Sequence, residues 1–215
     1  MVDTVRVLFI GNSFTARNDL PGLVSQLVAA GDKGQLETEL ISAGGASLRL
    51  HLNKGEAQQR LHTGFWDYAV LQEQSTLPVK NPIRTAENIR DFNAAIKASG
   101  TQTVLYMTWA RQDAPQTQDE LARVYSETGR EIGATVAPVG LAWQRCLEKT
   151  DIALHDKDKS HPNLAGSYLA ACVFYATLFM GRSRSIPTID IALDAGVVET
   201  LHKAASETVR AFKKG

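Results

Sequence analysis

VRVLFIGNSFT, residues 5–15, decides how the rest of the chain is read. The run of β-branched and apolar residues at 5–10 breaks at Gly11 into a polar turn, where the glycine is expected to let the backbone turn tightly. Beyond it Leu20, Leu23, Val24, Leu27 and Val28 recur at helical spacing until Gly31 and Gly34 close the segment. The result is a strand, a loop and a helix, and the unit repeats. Candidate strands at residues 37–42, 68–72, 103–108 and 135–139 alternate with helix-period segments. Asn81 and Pro82 read as an N-cap and first helical residue ahead of Ile89, Phe92 and Ile96, with Gly100 as the stop. Thr117 and Glu120 have capping-box spacing ahead of Leu121, Val124, Tyr125 and Ile132. Residues 164–179 and 193–212 read as two further helices. The alternation predicts an α/β fold, a three-layer α/β/α sandwich around a five-stranded parallel sheet in flavodoxin-like order. No repeat, low-complexity tract or long linker divides the sequence, so residues 1–215 are expected to form a single domain.

Composition agrees with an ordinary globular protein. Of 215 residues 44% are hydrophobic and 21% charged, with 23 Lys and Arg against 23 Asp and Glu. Zero formal charge lacks the basic excess expected of a nucleic-acid or anionic-membrane binder, so the expected partner is a small molecule. Asp3 and Arg6 interrupt the start, and the apolar run at 7–10 is too short for a signal-peptide core. A cytoplasmic protein is expected, although an exported one stripped of its leader reads the same. Cys146 and Cys172 have neither metal-ligand nor redox spacing and are expected in the core.

In open parallel sheets ligands bind outside the carboxyl ends of the strands, so the residues after each strand carry the information. The first strand presents Ser13 at the edge of the sheet, a position open to a nucleophile, a phosphate donor or a plain turn residue. The second runs into Gly44 and Gly45, which permit close backbone approach. After the third come Gln72, Glu73, Gln74, Ser75 and Thr76, whose amide side chains are able to donate to a developing oxyanion or to tie loops together. After the fourth, Trp109 and Arg111 suit substrate contact or loop packing. The densest titratable cluster is late, with His155, Asp156, Asp158 and His161. A carboxylate three residues before a histidine can accept its Nδ1 proton and free Nε2 as a base. Pro162 disfavours helix at His161 and keeps it in a loop. The four residues lack recognisable metal-ligand spacing, and no metal or organic cofactor is expected. His51, His62 and His202 fall in predicted helices as surface or hydrogen-bonded residues.

Taken together, Gly11-Asn12-Ser13-Phe14 after the first strand and Asp158-x-x-His161-Pro162 before the last helices resemble the SGNH, or GDSL-like, hydrolases, a superfamily of esterases and lipases. The resemblance spans nearly the whole chain and implies a three-layer α/β/α fold. It also implies Ser13 as nucleophile, His161 as general base and Asp158 as the carboxylate orienting it. The implied oxyanion hole is the backbone N–H of Ser13, that of Gly45, and a side-chain amide after the third strand. At that last position the family reads G-x-N-D, whereas this chain reads Gln72-Glu73-Gln74-Ser75, which puts Gln74 at the asparagine position. Asn12 replaces the usual aspartate, a change expected to act on loop hydrogen bonding. The Gly44-Gly45-Ala46-Ser47-Leu48 segment looks most like relatives acting on acetylated sugars.

These residues predict hydrolysis of a small ester, acetyl by preference, through an acyl-Ser13 intermediate, with activity falling below about pH 6.5, the ordinary histidine value. Specificity is expected in residues 75–81 and 108–116, with Trp109 and Arg111 as substrate contacts. The alternatives are acyl transfer on the same site, a flavodoxin-like module holding phosphate through Ser13 and Thr15, and a degenerate hydrolase that only binds.

Overall fold

The computed structural model describes residues 4–181 and 185–214; Asp3, which enters the reading of the N-terminus, lies outside them. In chain order the elements are β1 (Thr4–Gly11), α1 (Ser13–Ala16), α2 (Leu20–Ala30), β2 (Gln35–Ser42), α3 (Leu48–Lys54), α4 (Glu56–Thr63) and β3 (Tyr68–Leu71). There follow α5 (Leu77–Lys80), α6 (Pro82–Ala98), β4 (Gln102–Tyr106), α7 (Gln118–Ile132), β5 (Thr135–Ala137), α8 (Val139–Lys149), α9 (Leu164–Leu178) and α10 (Ala195–Phe212). Two single 3-10 turns, Arg17–Asp19 and Pro115–Thr117, precede α2 and α7.

All strand pairs are parallel, in the order β2-β1-β3-β4-β5, the predicted flavodoxin-like order. A parallel strand covered on both faces reads as a continuous apolar run, and β1 shows why. Its Val7 and Phe9 pack with residues of α2, α8, α9 and α10, while Leu8 and Ile10 pack with α3, α4, α6 and α7. These two cores lie between the sheet and the helix layers on its two faces. Helix α9 is apolar all round because it is covered all round, with every residue from Ala165 through Ala176 buried. Cys146 and Cys172 are free and buried, as expected. Among the described residues no helix is long and apolar enough to cross a membrane.

Several expectations shift in detail. Strand β5 stops at Ala137, because Pro138 has no N–H to offer the ladder, and residues 139–149, in which the periodicity reading sees no helix, form α8. There Gly140 is required by close approach, since a Cβ would lie 2.1 Å from the Thr108 carbonyl oxygen. The capping box of Thr117 and Glu120 does not form. The Thr117 hydroxyl donates to Ala114 O, and Glu120 pairs with Arg123. Asn81 does cap α6, accepting from Arg84 N at 3.0 Å. Gly11 is not in the left-handed region; its missing side chain makes room instead, because a Cβ would meet Gln72 Oε1 and Thr15 Oγ1 at 2.7 Å.

Candidate active site

Where β1 leaves the sheet, Asn12 caps the short helix α1, its Oδ1 accepting from Phe14 N at 3.0 Å. Ser13 is the first residue of that helix, so no carbonyl within the helix can reach its N–H. The turn is fixed from beside it by buried Gln72, whose Oε1 accepts from Asn12 N at 2.9 Å and from Thr15 Oγ1 at 3.0 Å. Thr15, one of the two hydroxyls in the phosphate-binding alternative, is therefore buried and engaged within the protein.

Ser13 Oγ lies 2.8 Å from His161 Nε2, and His161 Nδ1 lies 2.5 Å from Asp158 Oδ2. The other Asp158 oxygen accepts from the backbone N–H groups of His161 at 2.9 Å and Ser160 at 3.0 Å. The backbone bond from His161, followed by the bond from its ring, holds the Asp158 carboxyl well below the usual carboxylate range. Facing an ionised, acceptor-only carboxylate, Nδ1 carries the ring proton and Nε2 is left to accept from the serine hydroxyl. As Pro162 predicts, His161 stands in the loop before α9, which is capped by Asn163. Arg17, four residues after Ser13, reaches Asp156 at 2.5 Å and Asp158 at 4.0 Å. Asn18, held in the left-handed region at φ 53°, donates to Pro162 O and Ser167 Oγ. The two halves of the cluster, nearly 150 residues apart in sequence, are thus joined at the serine and again just beyond it, at Arg17 and Asn18.

The loops flanking Ser13 carry the other predicted residues. Gly45, at φ +65°, is exposed at the tip of the loop between β2 and α3, in a conformation that a Cβ would strain. Gln74 is half-buried, and its Oε1 accepts from Thr76 N and Thr76 Oγ1, while its Nε2 has no protein acceptor among the described residues. Between them sits a residue to which the sequence reading assigns no role. The Glu73 side chain is fully buried and accepts from Leu48 N at 2.9 Å, Gln74 N at 2.7 Å and Asn88 Nδ2 at 2.8 Å. Burial pushes its carboxyl above the usual range against the pull of those donors.

Trp109 does not offer a face to a substrate. Its ring is stacked between Phe14, at 4.7 Å, and Trp143, at 3.8 Å, and its Nε1 donates to Ser160 O. It is 2% exposed and supports the histidine loop from below. Arg111 is exposed, on the wall of a pocket of about 490 Å³ shared with Gln112, Gln116, Gln144 and His155, but neither Ser13 nor His161 lines that pocket. The remaining titratable residues of the late cluster do not converge. Asp156 faces Arg17, and His155 Nε2 faces Ala110 O. Among the described residues no group of three or more metal-ligating side chains is assembled. His51 is buried with Nε2 against Gly11 O, His202 Nε2 lies 2.7 Å from the Tyr168 hydroxyl, and His62 is exposed.

No family model and no curated protein matches the chain. Solved structures do. A candidate SGNH hydrolase from Slackia heliotrinireducens is 29% identical, with a TM-score of 0.72 over 82% of this chain and all of that one. A DUF4886 family protein from Bacteroides uniformis has a TM-score of 0.75 at 19% identity, covering 97% of this chain and 95% of that one. An acetylxylan esterase from Geobacillus stearothermophilus has a TM-score of 0.64 at 16% identity, covering 83% of this chain and 97% of that one; the last two likenesses concern the fold. In strand order, and at 29% identity over the whole length of that protein, the chain is similar to the candidate SGNH hydrolase, and it shares the fold of the esterase and lipase structures.

Proposed function

We propose that the protein is a serine esterase that removes a small acyl group, acetyl by preference, through an acyl-Ser13 intermediate. The observation carrying this reading is the continuous hydrogen-bonded chain from Ser13 Oγ through the His161 ring to Asp158. His161 Nε2 takes the hydroxyl proton as Oγ attacks the ester carbonyl carbon, and Asp158 stabilises the resulting imidazolium. The imidazolium then protonates the departing alkoxide. Water attacks the acyl-serine with His161 again as base, releasing the carboxylic acid and restoring the serine.

The oxyanion of each tetrahedral intermediate would lie among the N–H groups of Ser13 and Gly45 and the Nε2 of Gln74, donors for which no acceptor is found among the described residues. Losing one such donor typically costs about 10²–10³ in kcat. A sugar hydroxyl is the favoured alcohol half, which makes an acetylated sugar the substrate. The Gly44 to Leu48 segment supports it, as does the fold shared with an acetylxylan esterase.

The test is turnover of p-nitrophenyl acetate and of acetylated xylo-oligosaccharides by the wild type beside Ser13→Ala and His161→Ala. Activity abolished in both variants is expected; activity retained in either removes the assigned nucleophile or base.

A further inference from the structure

The buried Glu73 carboxylate touches neither Ser13 nor His161, yet it joins the two loops on which the donors other than Ser13 stand. Its Oε1 accepts at once from Leu48 N, the first residue of α3 behind the Gly45 loop, and from Gln74 N. Its Oε2 accepts from Asn88 Nδ2 on α6, and Asn88 Oδ1 in turn accepts from Arg49 Nε at 3.0 Å. Leu48 and Arg49 are adjacent, so α3 grips the same carboxylate twice, once directly by its backbone and once through Asn88. The Gly45 loop is anchored from its other side by Asn12 Nδ2 on Ala46 O, and an exposed glycine at its tip has no side chain with which to hold itself.

We propose that Glu73 is a positioning residue that sets the separation of the Gly45 and Gln74 donors, with Asn88 and Arg49 as its orienting chain. The inference rests on the serine-esterase reading above. The carboxylate is required as a charge-bearing acceptor, because every group around it is an N–H donor. A glutamine of the same shape can still accept from Leu48 and Gln74, but it turns an NH2 toward the donating Asn88.

Steady-state kinetics on p-nitrophenyl acetate and melting temperatures for wild type, Ser13→Ala, Glu73→Gln, Arg49→Met and the double variant Glu73→Gln/Arg49→Met test it. Hydrogen bonds to a charged group set the scale, so Glu73→Gln is expected to lower kcat about ten- to a hundredfold with KM unchanged. Arg49→Met, at a half-exposed position where folding is not at stake, is expected to lower kcat in the same direction. The double variant should add little to Glu73→Gln, because both changes act along one chain. An unchanged kcat in both single variants, or a loss confined to KM, overturns the proposal while Ser13-dependent turnover leaves the esterase reading intact. Should Glu73→Gln fail to fold, an unaltered kcat in Arg49→Met overturns it alone. Turnover that survives Ser13→Ala overturns the esterase reading, and the clamp with it.

Discussion

The Asn12 side chain donates from Nδ2 to the Ala46 carbonyl at 2.9 Å, fastening the loop that follows β2 to the turn that presents Ser13. The same amide accepts from Phe14 N, so the position uses both halves of an asparagine. Asn12→Asp keeps the cap and sets a carboxylate oxygen against a carbonyl oxygen. The expected result is a loss of stability of about 1–3 kcal/mol, the scale of a buried group left without its partner, together with a lower kcat. Chemical denaturation and ester kinetics check both; an unaltered midpoint would show that the aspartate finds another partner.

Arg17 bears on the pH profile. Its guanidinium pairs with Asp156 and lies 4.0 Å from Asp158. The Lys157 backbone bond and then the Arg17 bond hold the Asp156 carboxyl below its usual range, so the stability this carboxylate contributes is present above the ordinary carboxylate value and lost as pH falls, and Arg17→Ala is expected to reduce it. Asp158 itself stays ionised throughout, because its carboxyl is held far below the usual range by the His161 backbone and ring. Urea midpoints of both proteins from neutrality down through the ordinary carboxylate range at low salt read the difference, and high salt should shrink it, since Arg17 is partly exposed.

Glu73 makes stability depend on pH in the opposite sense to a paired surface carboxylate. Burial raises its folded value above the ordinary 4.5, so its contribution is fully present below that value and is lost as pH rises through the elevated one. Relative to wild type, Glu73→Gln is therefore expected to gain stability as pH rises from the ordinary glutamate range toward neutrality. Urea midpoints for both proteins across that interval give the difference curve, and a flat difference would mean that the site is ionised at no net cost.

The two residues expected to contact substrate should separate experimentally. Trp109→Ala removes the middle ring of a buried stack and is expected to cost about 3–5 kcal/mol. Arg111→Ala, at an exposed side chain, should leave the melting temperature alone and change the relative rates on esters of different alcohols. Identical ester profiles for Arg111→Ala and wild type would leave the pocket beside Arg111 outside the substrate path.

The layers and the strand order were legible in the alternation of apolar runs with helix-period segments, and the Asp158–His161 pair in a carboxylate one turn before a histidine that proline excludes from the helix; that Ser13 meets this pair was implied only by the resemblance to the SGNH hydrolases. What escaped was written in distance. Residue 73 reads as one more polar residue in a loop until α3 and α6 arrive from 25 and 15 residues away with their donors. Trp109 follows a strand just as a substrate contact would, and only the arrival of Phe14 and Trp143 on its two faces makes it a support. The α8 pattern of Val139, Ala142, Trp143 and Cys146 was present at helical spacing but follows directly on a strand, with Pro138 as the only punctuation. Arg17 carried a signal that periodicity does not weigh, a cation one helical turn beyond the serine.

The stack of Phe14, Trp109 and Trp143 also gives the protein an optical readout of its own. Two of its three tryptophans lie parallel, 4° apart in plane, in the dry interior, and Phe14 connects them edge-on to the His161 ring. Parallel indoles at that separation couple their electronic transitions, so near-ultraviolet circular dichroism should carry a strong signal from this pair. If Ser13 is acylated as proposed, the change at His161 is expected to reach Trp109 through Phe14, so that the reaction should be visible by intrinsic fluorescence on an unlabelled protein with a colourless ester.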